Sequence, residues 1–395
     1  MVFRGLRRWA GIVTMVAIAS AGITAATGGD ADAATGIPAS WSRICPGRVA
    51  SAGTPMVAGA ANCRTIDAGG LRRRFVAYVP SAAATGAALP VVFMFHGSGG
   101  NGEQFYDISG WREVAEQEGF IAVFPTGATY TIVDTGRRST KWHDFGLACE
   151  VSQRPRSWPA GAAYPADDGA FVDEMLADIG VSSDVDDTRV YASGFSNGSA
   201  FAQTLAITHA DVFAAIGSWA GPSGPCLDAN GVPVETITPP HLQDPPQTAI
   251  PVALGLGTED PKFVDGVNAY LVSIGEPTIT EFPLDPASME RYLGWVFRRA
   301  QASLGLEHVA GTPIAVADWA GVAWRATWPA PQYTTLQWTQ PVAGNAAGNS
   351  YTFMLLDGVK HHYPNATPGK ATRITASASV HAATLFWQFF ERHQR

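Results

Sequence analysis

The sequence predicts an α/β fold built on a doubly wound, mostly parallel sheet, and three observations lead there. From residue 72 onward, short apolar runs alternate with amphipathic stretches. The apolar runs are bounded by Gly, Pro or Asp, as fully buried central strands are. Two stretches, 125–166 and 262–349, are longer than the alternation needs, which marks them as loop insertions with a use of their own. Alternating strand and helix implies parallel strands joined by crossover helices.

Taken in order, the predicted strands are 74–79 (RFVAYV), 90–95 (PVVFMF), 120–124 (FIAVF), 189–192 (RVYA), 214–219 (AAIGSW), 251–255 (PVALG) and 351–356 (YTFMLL). Helical patterns fall between them at 102–117, 168–180, 197–209, 288–304 and 377–392. The second long stretch holds one of these helices and extended segments rich in Trp. In such a sheet, chemistry gathers at the carboxyl ends of the strands, so the loops after each strand are where to look.

Composition narrows the class. The chain has 395 residues, a net charge of −8, 46% hydrophobic and only 15% charged residues. An acidic balance with no basic run excludes a nucleic-acid binder, which needs clustered Lys and Arg, and argues against attraction to anionic lipid. Arg4, Arg7 and Arg8 precede an apolar run from Trp9 to Ala26, and Ala31-Asp32-Ala33 fits a small-residue cleavage site. Residues 1–33 therefore read as a secretory signal peptide cleaved near Ala33, and 34–395 as a single catalytic domain. An uncleaved membrane anchor is the competing reading. Export suits the four cysteines, Cys45, Cys63, Cys149 and Cys226, which allow three pairings. Nearest-neighbour pairing, Cys45–Cys63 with Cys149–Cys226, is the expectation. Zinc would need a C-x-x-C pair or ligand spacing that the chain lacks.

Four segments carry chemistry. Gly194-Phe195-Ser196-Asn197-Gly198 follows a strand and opens a helix, the setting of a nucleophile elbow, where a sharp turn exposes the serine oxygen. An ordinary glycine-bounded turn is the plain alternative. His96-Gly97-Ser98-Gly99-Gly100 follows the strand 90–95, and its small residues let a backbone N–H approach a substrate carbonyl. Gly97 or Ser98, with the Asn197 N–H at a helix start, would form an oxyanion hole. His96 comes too early in the chain to be the base and reads as structural. Gly257-Thr258-Glu259-Asp260-Pro261 follows the strand 251–255 and offers Asp260, with Glu259 second, as the acid. A turn carboxylate before proline is the ordinary explanation. Finally, Asp357-Gly358-Val359-Lys360-His361-His362-Tyr363-Pro364 follows the last strand, and one of its two histidines is the candidate general base. Asp167 and Asp168 look catalytic, yet paired carboxylates at a helix start commonly cap it or join a structural network.

With these segments in hand, the chain resembles the polyhydroxybutyrate-depolymerase-like esterases, a group similar to feruloyl and acetylxylan esterases of the α/β-hydrolase fold. The resemblance runs from about residue 72 to the C-terminus. It rests on PVVFMFHGSGG, the pair Asp167-Asp168, TRVYASGFSNGSAFA with AAIGSWAGP, GTED, and DGVKHHYPN. The family ends its last motif in glycine–histidine–any–tryptophan–proline. The resemblance therefore assigns the base to His361, the nucleophile to Ser196 and the acid to Asp260. Leu256, Ser199 and Tyr363 depart from the family pattern without removing a reacting group.

What this implies is a secreted serine esterase that needs no metal or organic cofactor. The substrate would be an ester, polymeric or soluble, of the polyhydroxyalkanoate or hydroxyacid kind. A feruloyl or acetylxylan esterase is the alternative, and a secreted binding protein with an idle site is the reading from another class. The aromatic residues Trp142, Trp219 and Tyr363 are the candidates for contact with substrate, although core packing is the commoner use of a single Trp.

Overall fold

The computed structural model describes residues 44–45, 49–83, 86–144, 146–221, 250–257, 259–265, 268, 277–280, 323–327, 333–342, 345–356, 359–364 and 381–395. The predicted helix at 288–304, the beginning of the one at 377–392, the signal region 1–33 and Cys226 lie outside the described residues.

Among the described residues, eleven strands form one sheet. At one edge, β1 (Ala50–Ser51), β2 (Ala61–Ala68) and β3 (Leu71–Tyr78) lead in. Six parallel strands follow in spatial order: β5 (Ile121–Pro125), β4 (Leu89–Phe95), β8 (Val185–Phe195), β9 (Ala215–Trp219), β10 (Val252–Gly257) and β13 (Asn345–Leu356). Two antiparallel strands, β12 (Tyr333–Val342) and β11 (Ala323–Thr327), close the far edge. The predicted α/β-hydrolase architecture is the one observed.

The all-apolar strands divide their side chains between two cores. Val91, Phe93 and Phe95 of β4 face one cluster, which also holds Phe171, Val172, Met175 and Ile179 of α4 (Asp168–Ser182) and Phe201 and Leu205 of α5 (Asn197–Thr208). Val92 and Met94 face the other, with Phe105 of α1 (Gly102–Ile108), Trp111 and Val114 of α2 (Trp111–Glu118), and Phe386 and Phe390 of α6 (Ala382–Phe390). A strand buried on both faces has no polar side to show, which is why periodicity gave way to continuous apolar runs.

Several elements differ from the sequence reading. The single helix expected at 102–117 is two, because Gly110 takes a left-handed φ of 80° and turns the chain before Trp111. Strand β2 went unpredicted, although it pairs antiparallel with β3 along its whole length. The stretch 125–166 carries a two-stranded ribbon of β6 (Ala128–Thr131) and β7 (Arg138–Lys141), then the short helix α3 (Leu147–Glu150). The last strand begins six residues before 351, since its polar start pairs with β12 across a hairpin.

Register decides where loops emerge. Phe95 of β4 pairs with Gly194 of β8, Phe195 with Trp219 of β9, and Gly257 of β10 with Leu356 of β13. The loops that follow all four motif-bearing strands therefore start at one level, at the carboxyl edge of the sheet.

Cys45 and Cys63 form a disulfide, Cα–Cα 5.9 Å, that ties the segment before β1 to β2. In the chain-entropy view a closed loop of 18 residues removes about 3 kcal/mol of denatured-state freedom. Replacing both cysteines by serine should lower the unfolding free energy by about that amount, read as a shift in urea midpoint at unchanged slope.

Candidate active site

Ser196 sits between β8 and α5 with φ 54° and ψ −120°, a conformation that costs on the order of 1–3 kcal/mol and persists only where neighbours impose it. They do. The Ser196 N–H donates to the Trp219 carbonyl at 2.9 Å, and the Ser196 carbonyl accepts from the N–H groups of Ser199 and Ala200. The turn is so tight that a Cβ on Gly194 would lie 2.0 Å from the Gly198 carbonyl oxygen. One on Gly198 would lie 2.2 Å from that of Phe95. Both glycines of the motif are thus required by close approach of backbone to backbone.

His361 stands between Ser196 and Asp260. Its Nε2 is 3.0 Å from Ser196 Oγ, and its Nδ1 is 2.8 and 3.0 Å from the two oxygens of the Asp260 carboxylate. Asp260 is 1% exposed and also accepts from the Lys262 N–H at 2.9 Å, at the head of a helical turn over 261–265. The neighbouring loops are locked together: the Glu259 N–H donates to the Val359 carbonyl, and the Asp260 N–H to that of Gly257. Between the two adjacent histidines, it is the His361 ring that joins the serine and the aspartate. An imidazole so placed can take a proton from the hydroxyl on one side while the carboxylate fixes its tautomer on the other.

The loop after β4 is organised by His96. The ring is fully buried, its Nε2 accepts from the Gly127 N–H at 2.9 Å, and its Nδ1 lies 2.7 Å from the Gly97 carbonyl. Since Nε2 accepts, Nδ1 carries the hydrogen and donates to Gly97. Burial lowers its pKa from 6.5 to about 4, with Arg73 acting in the same direction against the Gly97 hydrogen bond. The Gly97 carbonyl also accepts from the Gly100 N–H at 3.0 Å. Among the hydrogen bonds of the described residues, none uses the N–H of Gly97, Ser98 or Asn197.

A third segment, 141–144, wedges between these two, and the sequence reading overlooked how. The Asn197 side chain accepts from the Trp142 N–H at 2.8 Å and donates to the Trp142 carbonyl at 3.2 Å and to Asp144 at 2.9 Å. The Trp142 indole N–H donates to the His96 carbonyl at 2.9 Å. Asp144 is buried, which pushes its carboxyl pKa up, while Lys141 and the Asn197 hydrogen bond pull it back. Asp168 accepts from Arg73 at 2.7 Å and from the His143 N–H at 2.7 Å, while Asp167 caps α4 through the Ala170 N–H. The carboxylate pair thus serves structure, as its position at a helix start implied. The one signal available for the wedge was an Asp two residues after a Trp, in Lys141-Trp142-His143-Asp144.

The three aromatic candidates for substrate contact need correction. Trp142 and Trp219 are 0% exposed and Tyr363 is 6% exposed. Trp142 stacks on Phe201 and meets Phe95 edge-on. Trp219 lies on a central strand against Gly255, where a Cβ would come within 2.1 Å of its ring. The Tyr363 hydroxyl accepts from the Trp111 indole at 3.0 Å and its ring packs on Phe105 and Phe195. Large flat rings fill the space beneath the site rather than its mouth.

Comparison with known proteins finds sequence similarity to esterases. Residues 74–224 match the family model described as esterase PHB depolymerase. Feruloyl esterase B of Talaromyces stipitatus is 25% identical over 154 residues, which is 39% of this chain and 37% of that protein. Feruloyl esterase B of Talaromyces funiculosus is 24% identical over 155 residues, 39% of this chain and 38% of that one. The matched part is thus well under half the length of either relative. Among solved structures, an acetyl xylan esterase from Aspergillus awamori aligns with TM-score 0.45 and 16% identity, covering 77% of this chain and 95% of its own. An S-formylglutathione hydrolase from Agrobacterium tumefaciens aligns with TM-score 0.46 and 14% identity, covering 86% and 97%. The segment from 74 to 224 is thus similar in sequence to the esterase PHB depolymerase family and, more distantly, to feruloyl esterases.

Proposed function

We propose that this protein hydrolyses carboxylic esters, with Ser196 as nucleophile, His361 as general base and acid, and Asp260 as the group that orients and stabilises the imidazolium. The observation that carries the reading is the His361 ring within hydrogen-bond reach of both Ser196 Oγ and the buried Asp260 carboxylate. Ser196 Oγ adds to the ester carbonyl as its proton passes to His361 Nε2. Collapse of the tetrahedral adduct expels the alcohol, which leaves with that proton. Water then attacks the acyl-enzyme as its proton passes to His361, and collapse of the second adduct releases the acid while His361 returns that proton to Ser196 Oγ.

The oxyanion of each adduct is held by the Asn197 N–H and by Ser98. The Gly97 carbonyl is turned back onto His96 and Gly100, so in a planar trans peptide the Ser98 N–H points the opposite way. The Gly97 N–H is the alternative donor: its peptide carbonyl, that of His96, is likewise held, by Trp142, which turns this N–H the other way.

For the substrate, the family match favours a polyester or hydroxyacid ester. The feruloyl esterases among the relatives keep a phenolic or acetyl ester of plant polysaccharide as the second reading. We further propose that the chain is exported and acts as one catalytic domain after loss of residues 1–33. The Cys45–Cys63 disulfide supports an oxidising compartment. Among the described residues, no helix is long and apolar enough to cross a membrane.

Hydrolysis of p-nitrophenyl acetate should fall to background in Ser196→Ala with the fold intact by circular dichroism; equal rates in the two proteins would sink the reading. Asp260→Asn should lower kcat by about 10⁴-fold, as loss of the orienting carboxylate does in serine hydrolases generally. A panel running from hydroxybutyrate oligomers to feruloylated and acetylated xylan separates the two substrate readings. Stability adds a pH dependence of known sign. Between 6.5 and about 4 the unfolded chain binds a proton at His96 that the folded chain refuses, so stability falls as pH falls through that window. The group contributes a loss on the order of 3 kcal/mol, and no further slope below it. Urea unfolding of His96→Asn should show a correspondingly shallower pH dependence than the wild type.

A further inference from the structure

The two proposed oxyanion donors come from loops after different strands, yet one side chain reaches toward both. Asn197 is the first residue of α5, is 8% exposed, and does not use its amide to cap its own helix. Its Oδ1 and Nδ2 instead clasp the N–H and carbonyl of Trp142, as a neighbouring strand would, and Nδ2 also donates to Asp144. Trp142 passes that placement on. Its indole N–H holds the His96 carbonyl, and its ring lies 4.9 Å from the His96 ring. His96 in turn holds the Gly97 carbonyl, whose peptide carries the Ser98 N–H. The links are all buried, where hydrogen bonds are stiff and misplacement is costly.

We propose that the Asn197 side chain and Trp142 are positioning residues that set the distance between the two oxyanion donors, Asn197 N–H and Ser98 N–H. The inference rests on the esterase reading above. Donors in an oxyanion hole act on charge that develops only in the transition state, so a misplaced donor costs kcat and leaves ground-state binding alone. Losing such a donor outright costs 10²–10³-fold in kcat; displacing one should cost about 10-fold. Substitution of either residue should therefore lower kcat without raising KM, and the two effects should not multiply, because both act through one chain of contacts.

The experiment is saturation kinetics with p-nitrophenyl acetate on the wild type, Asn197→Ala, Trp142→Phe, the double variant and Ser196→Ala. Rates of the proteins that keep Ser196 are normalised to sites titrated with a phosphonate that labels it, and that of Ser196→Ala to protein concentration. Trp142→Phe keeps an aromatic ring beside Phe201 while removing the indole N–H together with part of the buried bicycle, so it stays informative if Asn197→Ala folds poorly. The expected result is kcat per titrated site about 10-fold lower in Trp142→Phe and at least as low in Asn197→Ala, with KM within about two-fold. The double variant should lose little more than Asn197→Ala. Weakening of a trifluoromethyl-ketone transition-state analogue should follow the loss in kcat. Rates per site within about two-fold of wild type, or a rise in KM with unchanged kcat, would overturn the positioning role while leaving the triad standing. Undiminished activity in Ser196→Ala would remove the esterase reading itself, and the inference with it.

Discussion

The strained turn at Ser196 is the constraint around which the other parts are arranged. Its backbone sits where an L-residue does not rest by choice, and it is held by hydrogen bonds at both ends of the residue. For that turn to form, β8 must run beside β4 and β9 in one register, and the backbone of Gly198 must reach almost to the Phe95 carbonyl. The same closeness brings the loop after β4 alongside the serine. Strand register, glycine placement and site geometry are one requirement seen from three positions.

A second requirement follows from burial. Asp144, Asp168, His96 and Asn197 are polar groups placed among Phe and Trp rings, and each survives there because it has partners. Asp168 has Arg73 and the His143 N–H; Asp144 has Asn197 and the Gly146 N–H. His96 stays neutral, donating from one nitrogen and accepting at the other. Hydrogen-bonded groups of this kind fix a single arrangement of the loops they join, whereas apolar contact alone permits sliding.

Legibility varied with the range of the interaction. The central strands and the motif loops were readable because each is announced locally, by an apolar run closed by small residues. The candidate helix at 102–117 hid a break, since an isolated Gly110 in a helical pattern is tolerated as often as it ends one. Strand β2 was missed because its alternation is irregular: Arg64, which belongs by pattern to the surface, is 1% exposed and sits against Asp178. Trp142, Trp219 and Tyr363 were candidates for substrate contact with core packing as the commoner alternative, and the structure buries all three. A ring beneath a loop and a ring upon it have the same sequence, and only packing separates them.

By itself the sequence determined the alternation of central strands with helices, the elbow around Ser196, the chain order Ser196, Asp260, His361 and the small-residue loop after His96. These are local properties, set by propensity, turn chemistry and spacing. The tertiary structure decided which carboxylate meets the His361 ring, that both glycines of the elbow face carbonyl oxygens, and that Asn197 reaches Trp142 across 55 residues of chain. Those outcomes depend on strand register and on the satisfaction of buried polar groups, and neither has a signature in any single stretch of residues.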